Sequence, residues 1–384
     1  MEKTALSGLT LVELQQVVQG EGLPKFTAKQ MAQWLYAKQI FSFDEMTNLS
    51  KTARERLDSR FQVGRSRPVK TQVSADGTEK YLFRTLGGDY VETVYIPTDD
   101  RATLCISTQV GCRMGCKFCM TGRQGLQGNL SVADMLNQIY GSPHFDRLTN
   151  LVLMGQGEPF DNTDNVLRLT QLLQAPYGLA WSPKRITVST VGLLGGLRRF
   201  LDASDCNLAV SLHFPTSAQR AEWMPAEKAY PIERVVEELK QYDFCRDLRR
   251  GEVRLGNHQR RLSFEYILFK GVNDSEQHAR TLVRLLRGLD CRVNLIPFHA
   301  IPGSPLQGCT EAEMKAFRDR LTQHGLFATL RASRGQDILA AIAASPAPNR
   351  SGASFFVSKS TRRTPLTSSD NMEQRSVPAK KSPP

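Results

Sequence analysis

Long hydrophobic runs are missing from this 384-residue sequence. No stretch of 18 or more apolar residues occurs, which excludes a membrane-spanning helix of ordinary length. The opening residues, MEKTALSGLTLVELQQVVQG, carry acids and amides where a signal peptide needs a basic start followed by an apolar run. We therefore expect a cytoplasmic protein with no membrane partner.

Cysteine is also scarce. The eight cysteines are too few for the disulfide framework of a small secreted domain, but Cys112, Cys116 and Cys119 fall within one short loop. Acidic residues are outnumbered by basic ones, and a formal net charge of +12 suits a polyanionic partner, because Lys and Arg make most contacts to phosphate. A hydrophobic content of 40% is sufficient for a globular core.

The hydrophobic pattern divides the chain into three parts. Residues 1–80 contain the amphipathic segments TAKQMAQWLYAKQI, SFDEMTNL and SKTARERLDSRF, which predict a small helical N-terminal domain. Residues 81–341 form the main domain. Residues 342–384 are rich in Ser, Pro and basic residues without any period, which predicts a disordered tail.

Strand-like and helix-like segments alternate along the main domain. After KYLFRTL and ETVYIP, six further β-type runs follow: ATLCIST, LTNLVLMG, RITVSTVG, CNLAVSLH, LSFEYILF and CRVNLIPFH. Helical patterns such as VADMLNQIY, NVLRLTQLL, ERVVEELKQY and HARTLVRLLRGL lie between them. This α/β alternation predicts a parallel sheet, either doubly wound or a complete or partial barrel. In both architectures, ligands bind at the C-terminal ends of the strands.

The cysteine loop, GCRMGCKFCMTGRQG, follows the first of these six strands. Three thiolates can hold three irons of a 4Fe–4S cluster and leave the fourth iron open to a small molecule. The alternatives are a zinc site completed by a distant His or Cys, or merely clustered buried thiols. Phe118, directly before the last cysteine, suits a cluster shielded from water.

The Cys-x3-Cys-x2-Cys spacing at the end of the first strand of a six-fold βα array resembles the radical S-adenosylmethionine (SAM) enzymes. The motifs ETVYIP, RATLCISTQVGC, MGQGEP, ITVSTVG, LAVSLH and NLIPFH resemble, in the same order, those of the RlmN and Cfr RNA methyltransferases. The match covers roughly Pro24 to Ile338 and is closer to RlmN. It implies a partial (β/α)6 barrel of TIM type, with a 4Fe–4S cluster and SAM as cofactors.

The resemblance also implies a SAM-binding set. In MGQGEP, Gly157 lets the backbone approach a ligand closely, and Glu158 can accept a hydrogen bond from the amino group of SAM. Without the family, these residues are equally a turn after a strand, and the other positions are ordinary strand or core residues. Those positions are Ser189, Ser211, Leu212, His213 and His299, the last standing where many family members have Asn.

Two catalytic residues are implied in the same way. Glu92 is the expected general base that removes a proton from an adenine carbon. Cys105 is the expected thiol that attacks a second, methyl-carrying cysteine and releases the product as a disulfide forms. Read alone, Glu92 is an exposed strand carboxylate and Cys105 a buried small hydrophobe.

The match ends at Ile342. In the family, the segment that resembles RGQDILAA is followed by the methyl-carrying cysteine, and an isoleucine has no sulfur to carry a methyl group. Cys309 is an alternative carrier on a late loop.

Three functions stay open. The first is a radical SAM methyltransferase acting on carbon 2, or alternatively carbon 8, of adenosine in ribosomal RNA and transfer RNA. The second is a radical SAM enzyme with another substrate, and the third is an inactive RNA-binding homologue. The resemblance further implies flavodoxin as electron donor and a monomeric protein. We expect the N-terminal segment to hold RNA, since every SAM motif lies after it.

Overall fold

The computed structural model describes residues 3–244, 260–301 and 303–340. Ile342 and the tail predicted over 342–384 therefore lie outside the described residues. Among the described residues, no helix has both the length and the apolar character needed to cross a membrane.

The N-terminal part is helical. It contains α1 (Leu11–Gly20), α2 (Thr27–Ala37) and α3 (Lys51–Arg60), and the short parallel strands β1 (Thr4–Ala5) and β2 (Phe61–Gln62) join its two ends. Thr10 and Ser50 begin α1 and α3 by accepting a backbone N–H with their hydroxyl oxygens. The helix expected at SFDEMTNL is wrong, because only one 3₁₀ turn forms there, at Phe43–Glu45.

The main domain is built on one large sheet. In the described part of the chain, ten strands follow the order β14-β13-β12-β11-β10-β9-β6-β5-β4-β3. These strands are β3 (Lys70–Val73), β4 (Glu79–Arg84), β5 (Tyr90–Pro97), β6 (Ala102–Cys105), β9 (Asn150–Leu153), β10 (Ile186–Thr190), β11 (Asn207–Ser211), β12 (Leu262–Leu268), β13 (Cys291–Pro297) and β14 (Ala328–Leu330). A separate antiparallel hairpin consists of β7 (Gln109–Cys112) and β8 (Gly125–Asn129).

The strand directions confirm the partial (β/α)6 barrel. Strands β6 and β9–β14 are mutually parallel, and β3, β4 and β5 extend this sheet with antiparallel pairings. Because β3 and β14 remain edge strands, the barrel does not close. The six predicted β-type runs are β6 and β9–β13; β14, with three residues, is too short for its period to be recognised.

Helices connect the parallel strands and cover the sheet. They are α4 (Met120–Gln124), α5 (Val132–Tyr140), α6 (Thr163–Gln174), α7 (Leu194–Ala203), α8 (Ser217–Trp223), α9 (Ile232–Leu239), α10 (Glu276–Leu285) and α11 (Glu311–Gln323). In α9 the apolar positions Ile232, Val235, Val236 and Leu239 recur every three or four residues and are buried. Each such burial stabilises the fold by about 1.5–3 kcal/mol.

The helical N-terminal part packs directly on the main domain. Tyr140 on α5 donates its hydroxyl to the Tyr36 carbonyl at 2.6 Å, and the Arg168 Nε donates to the Gly8 carbonyl at 2.8 Å. A single hydrophobic core runs through both parts. Residues 70–73, assigned by sequence to the N-terminal domain, form β3 and pair with β4 in the main sheet.

Candidate functional site

A cavity of about 360 Å³ lies at the C-terminal ends of the parallel strands; we call it the central cavity. This is where an open α/β sheet is expected to bind ligands. Consecutive strands contribute to its wall: Cys105 from β6, Met154 after β9, Thr190 from β10, Ser211 from β11, Ile267 from β12, Ile296 from β13 and Arg331 after β14.

The three cysteines of the loop all line the central cavity. Cys112 ends β7, and Cys119 immediately precedes α4. Gly122 lets α4 pass close to the loop, because a Cβ there would lie 2.9 Å from the Cys116 backbone nitrogen. The 15-residue motif is therefore compact, and its three thiols face the central cavity.

The electrostatics of these thiols suit a metal-bound state. Burial raises the pKa of Cys112 to about 12, and the Glu158 and Cys119 charges add to that rise. Burial likewise raises the pKa values of Cys116 and Cys119, and the neighbouring cysteine thiolates push the pKa of Cys116 higher still. Three adjacent thiolates are thus unfavourable unless a cation stabilises them, and metal binding provides one.

The donor set fits a 4Fe–4S cluster. All three thiols line the central cavity, and a cluster presents a separate iron to each thiolate while its fourth iron stays open to a ligand.

Glu158 lies beside this loop with its carboxylate buried. One oxygen accepts the Phe160 N–H at 3.0 Å and the other accepts the Val191 N–H at 2.8 Å. Burial raises the pKa of Glu158 to about 7, although the two backbone hydrogen bonds oppose the rise. A carboxylate oxygen has a second lone pair, so each oxygen can still accept a hydrogen bond from an ammonium group in the cavity.

Gly157 allows the chain to turn at this point. Its φ of +103° is in the left-handed region, and a Cβ there would lie 2.6 Å from the Gln109 Cβ. The Gln109 side chain in turn accepts the Glu158 N–H at 2.8 Å. A glycine is therefore required at position 157 for the β7–β8 hairpin to contact the MGQGEP loop.

The strand-end residues lie in three places. Ser189, Ser211 and His213 line the central cavity. Leu212 is fully buried in the hydrophobic core and lines neither cavity, and its N–H and carbonyl are bonded to the Glu265 carbonyl and to Arg220. His299 lines an adjoining cavity of about 240 Å³, the side cavity, and its Nε2 lies 2.5 Å from the Ser333 hydroxyl.

His213 is held as a neutral imidazole. Its Nδ1 accepts the Ile267 N–H at 3.1 Å, which leaves Nε2 as the protonated nitrogen. Burial and the nearby Arg220 charge lower the pKa of His213 to about 3. The residue also has a φ of +55°, an unfavourable backbone conformation for a residue other than glycine, of the kind that clusters at ligand sites.

The two expected catalytic residues lie near one another but in different surroundings. Cys105 lines the central cavity and packs with Val94 and Ala340. Burial raises the pKa of the Cys105 thiol to about 12. Glu92 is buried on β5 and lines neither of the two cavities, and its carboxylate lies 3.3 Å from the Lys80 ammonium.

Cys309 lies apart from Cys105. Its sulfur is 3.6 Å from the Asp274 carboxylate, and it lines neither of the two cavities. All seven cysteines in the described residues are free thiols. The geometry thus weighs against Cys309 as a substitute methyl carrier.

Sequence reasoning missed Arg220, a fully buried arginine on α8. It pairs with the buried Glu227, and its guanidinium donates to the carbonyls of Val191, Ser211 and Leu212. Arg220 therefore ties together the ends of β10 and β11 beneath the central cavity. In SAQRAEW the arginine reads as a surface residue, and no local pattern indicates its burial.

Comparisons with known proteins agree with this geometry. Residues 4–63 match the model of the ribosomal RNA large subunit methyltransferase N-terminal domain, and residues 106–282 match that of the radical SAM superfamily. The chain is 58% identical over 339 residues to the probable dual-specificity RNA methyltransferase RlmN of Phocaeicola vulgatus, covering 88% of this chain and 94% of that protein. It is 42% identical over 337 residues to dual-specificity RNA methyltransferase RlmN of Syntrophotalea carbinolica, covering 88% of each.

A solved structure has the same fold. The radical SAM methyltransferase from Sphaerobacter thermophilus superposes with a TM-score of 0.81 at 39% identity, covering 89% of this chain and 98% of that chain. The chain therefore belongs to the RlmN family of radical SAM RNA methyltransferases.

Proposed function

We propose that this chain is built to methylate carbon 2 of an adenosine in 23S ribosomal RNA, and also in transfer RNA, through a methyl-cysteine intermediate. The observation that carries the proposal is that Cys105 and Ala340 line the same cavity as the three loop cysteines. Ala340 stands two residues before position 342, where the family has its carrier cysteine. The names of the relatives support RNA as the substrate.

Family membership implies a 4Fe–4S cluster and SAM as cofactors. Cys112, Cys116 and Cys119 would hold the cluster, which supplies the single electron that cleaves SAM. The residues proposed to bind SAM are Gly157, Glu158, Ser189, Ser211, His213 and His299, with Leu212 packed in the core between Ser211 and His213.

The chain's own side chains have distinct tasks. Glu158 binds the amino group of SAM, and the neutral His213 offers an Nε2–H donor. Glu92 accepts the proton released from the adenine carbon, and its burial keeps water from competing for this role. Cys105 forms the disulfide that frees the product, which requires a sulfur at position 342.

Ile342 favours a second candidate function, a homologue that binds RNA and cleaves SAM without methylating adenine. With isoleucine at position 342, Cys105 has no partner sulfur there. A radical SAM enzyme acting on another substrate is the remaining alternative. Iron content together with SAM cleavage distinguishes the enzymes from a protein without chemistry, and RNA products distinguish the two enzymes.

We further propose that residues 1–80, apart from β3 and the start of β4, form an accessory RNA-binding domain, and that these two strands belong with residues 81–341 to the catalytic domain. Complete removal of residues 1–61 is a poor test of this division, since the helices cover core residues such as Tyr140. From the resemblance alone, we also propose a monomer in the cytoplasm that receives electrons from flavodoxin.

The test is mass spectrometry of nucleosides from a 23S ribosomal RNA fragment and tRNA transcripts, each incubated anaerobically with the full chain, SAM and reductant. We expect SAM cleavage without 2-methyladenosine from the unaltered chain. Ile342→Cys should regain part of the methylation, because the described segment reaches the cavity wall at Ala340.

Two outcomes change the proposal. Accumulation of 2-methyladenosine with the unaltered chain would show that a cysteine at 342 is dispensable, and Cys309→Ala would then reveal whether Cys309 is the carrier. 8-Methyladenosine from Ile342→Cys would move the target from carbon 2 to carbon 8.

A further inference from the structure

The turn between β3 and β4 binds the C-terminal segment Gly335–Ala340 through carboxylates on both sides. The Asp337 carboxylate accepts hydrogen bonds from the Ser74 hydroxyl at 2.5 Å and from the Ala75 N–H at 3.1 Å. Asp76 accepts the Gly335 N–H at 2.9 Å. Ser74 and Asp337 are 263 residues apart in the sequence. These hydrogen bonds hold the segment against the turn between β3 and β4.

The segment itself is a tight turn that only glycine can begin. Gly335 has a φ of +59°, and a Cβ there would lie 2.4 Å from the Ala340 Cβ and 3.0 Å from a Thr78 side-chain carbon. The Ala340 N–H donates back to the Gly335 carbonyl at 2.9 Å. In this turn Ala340 packs against Val94 and Cys105.

One ammonium group joins this segment to the expected general base. The Lys80 Nζ lies 3.3 Å from the Glu92 carboxylate and 3.4 Å from the Leu339 carbonyl oxygen. The side chains of Lys80 and Glu92 are only 3% and 2% exposed. At such depth an unpaired ammonium or carboxylate is strongly disfavoured, so the ion pair stabilises both charges.

We propose that Lys80 is a positioning residue that couples Glu92 to the C-terminal segment. By holding the carboxylate and the Leu339 carbonyl at once, Lys80 fixes the position of the Glu92 carboxylate and keeps the chain that leads to position 342 against Cys105. This inference rests on the proposed function for the role of Glu92. It adds that the β3–β4 hairpin sets the geometry of the methyl-carrier side.

The test uses the full chain with Lys80→Met, which keeps the length of the side chain and removes its charge. Lys70→Met, at an exposed lysine on β3 of the same hairpin, is the matched control. Hydrogen–deuterium exchange of residues 335–340 and peptide-resolved alkylation of Cys105 report the position of the segment. We expect both rates to rise on the order of tenfold in Lys80→Met and to stay at the parent value in Lys70→Met.

A double variant and a conservative variant separate positioning from general support of the fold. In Lys80→Met/Glu92→Gln, fast exchange of residues 335–340 should persist, since the bond to Leu339 is still missing. Lys80→Arg keeps a cationic donor at this place and should bring the exchange of residues 335–340 and the alkylation of Cys105 back towards the parent rates.

The double variant also guards against misfolding, because it removes the buried carboxylate together with the buried ammonium group. If Lys80→Met does not fold, the double variant alone decides. Unchanged exchange and alkylation in the folded Lys80→Met variants would overturn the proposal. None of these readouts requires catalysis. A failure of Ile342→Cys to methylate RNA would therefore count against the proposed function and leave this inference standing.

Discussion

Two parts of the central-cavity wall are built from very different lengths of chain. One part carries Cys112, Cys116 and Cys119, and the other carries Cys105 and Ala340. The first, the cluster wall, draws its three thiols from eight consecutive positions. The second, the carrier wall, joins Val94 and Cys105 on the neighbouring strands β5 and β6 to Ala340, which is more than 200 residues further along the chain. A wall whose residues are close in sequence keeps its geometry when other parts of the chain change. A wall that includes a distant segment also depends on the C-terminal part of the chain.

The largest expected effect tests the cluster wall. Cys116→Ala should lower the iron content from about four atoms per chain to near zero after anaerobic reconstitution, because two thiolates cannot retain the cluster. Iron and sulfide analysis with the visible absorption spectrum measures this. Cys291→Ala, outside the loop, should keep its iron, and a full cluster in Cys116→Ala would contradict the ligand assignment.

The next effect asks how far the cluster side depends on tertiary contacts. Arg220→Met leaves the buried Glu227 carboxylate without its cation and three carbonyls without their donor, which should cost about 3–5 kcal/mol of folding stability. Thermal and denaturant unfolding of the full chain measure the loss. Lys51→Met removes only an exposed pair with Glu55 and should change stability by less than about 0.5 kcal/mol. Equal effects would show that the buried pair is not a tertiary support.

A smaller effect is expected where the cluster wall meets the MGQGEP loop. Gly157→Ala introduces a Cβ against Gln109 in a left-handed backbone conformation, which should displace Glu158 and weaken SAM binding by about 10- to 100-fold. Calorimetry with SAM on reconstituted protein measures the affinity. Gly195→Ala is the control, because a Cβ there meets no atom within 4 Å and the helical position favours alanine. An unchanged affinity in Gly157→Ala would remove this loop from the SAM site.

The smallest effect lies outside both walls. Phe26, with 65% of its surface exposed, stands next to Lys25 and near Lys29 at the start of α2. Lys25→Ala/Lys29→Ala should weaken RNA binding roughly tenfold at low salt and reduce the salt dependence by about two ions, while SAM binding stays unchanged. Filter binding of tRNA across a salt series measures both quantities.

The matched control for the RNA surface is Lys315→Ala, since Lys315 already pairs with Glu311 on α11. Its RNA affinity and salt slope should equal those of the unaltered chain. Equal losses in the α2 and α11 variants would indicate a nonspecific charge effect and would contradict the assignment of RNA binding to the N-terminal helices.

Much of the cluster wall was readable in the sequence, because its signals are local. The six β-type runs became β6 and β9–β13, since strand periodicity survives in short segments. The cysteine spacing indicated a metal site because ligands a few residues apart must lie close in space. The three-residue β14 and the single turn at Phe43–Glu45 were beyond this approach, because such short elements depend more on packing than on pattern.

The tertiary structure settled the rest. No local pattern pairs Lys80 with Glu92, buries Arg220 or turns the Leu212 side chain into the core. Lys80 and Glu92 meet through the register of the neighbouring strands β4 and β5, whereas Ser74 and Asp337 form a hydrogen bond although 263 residues separate them. Local periodicity and motif spacing were thus enough to establish the barrel, the cluster loop and the family. Which buried charges meet was settled by strand register and packing, because a buried ion is stable only where the completed fold supplies its partner.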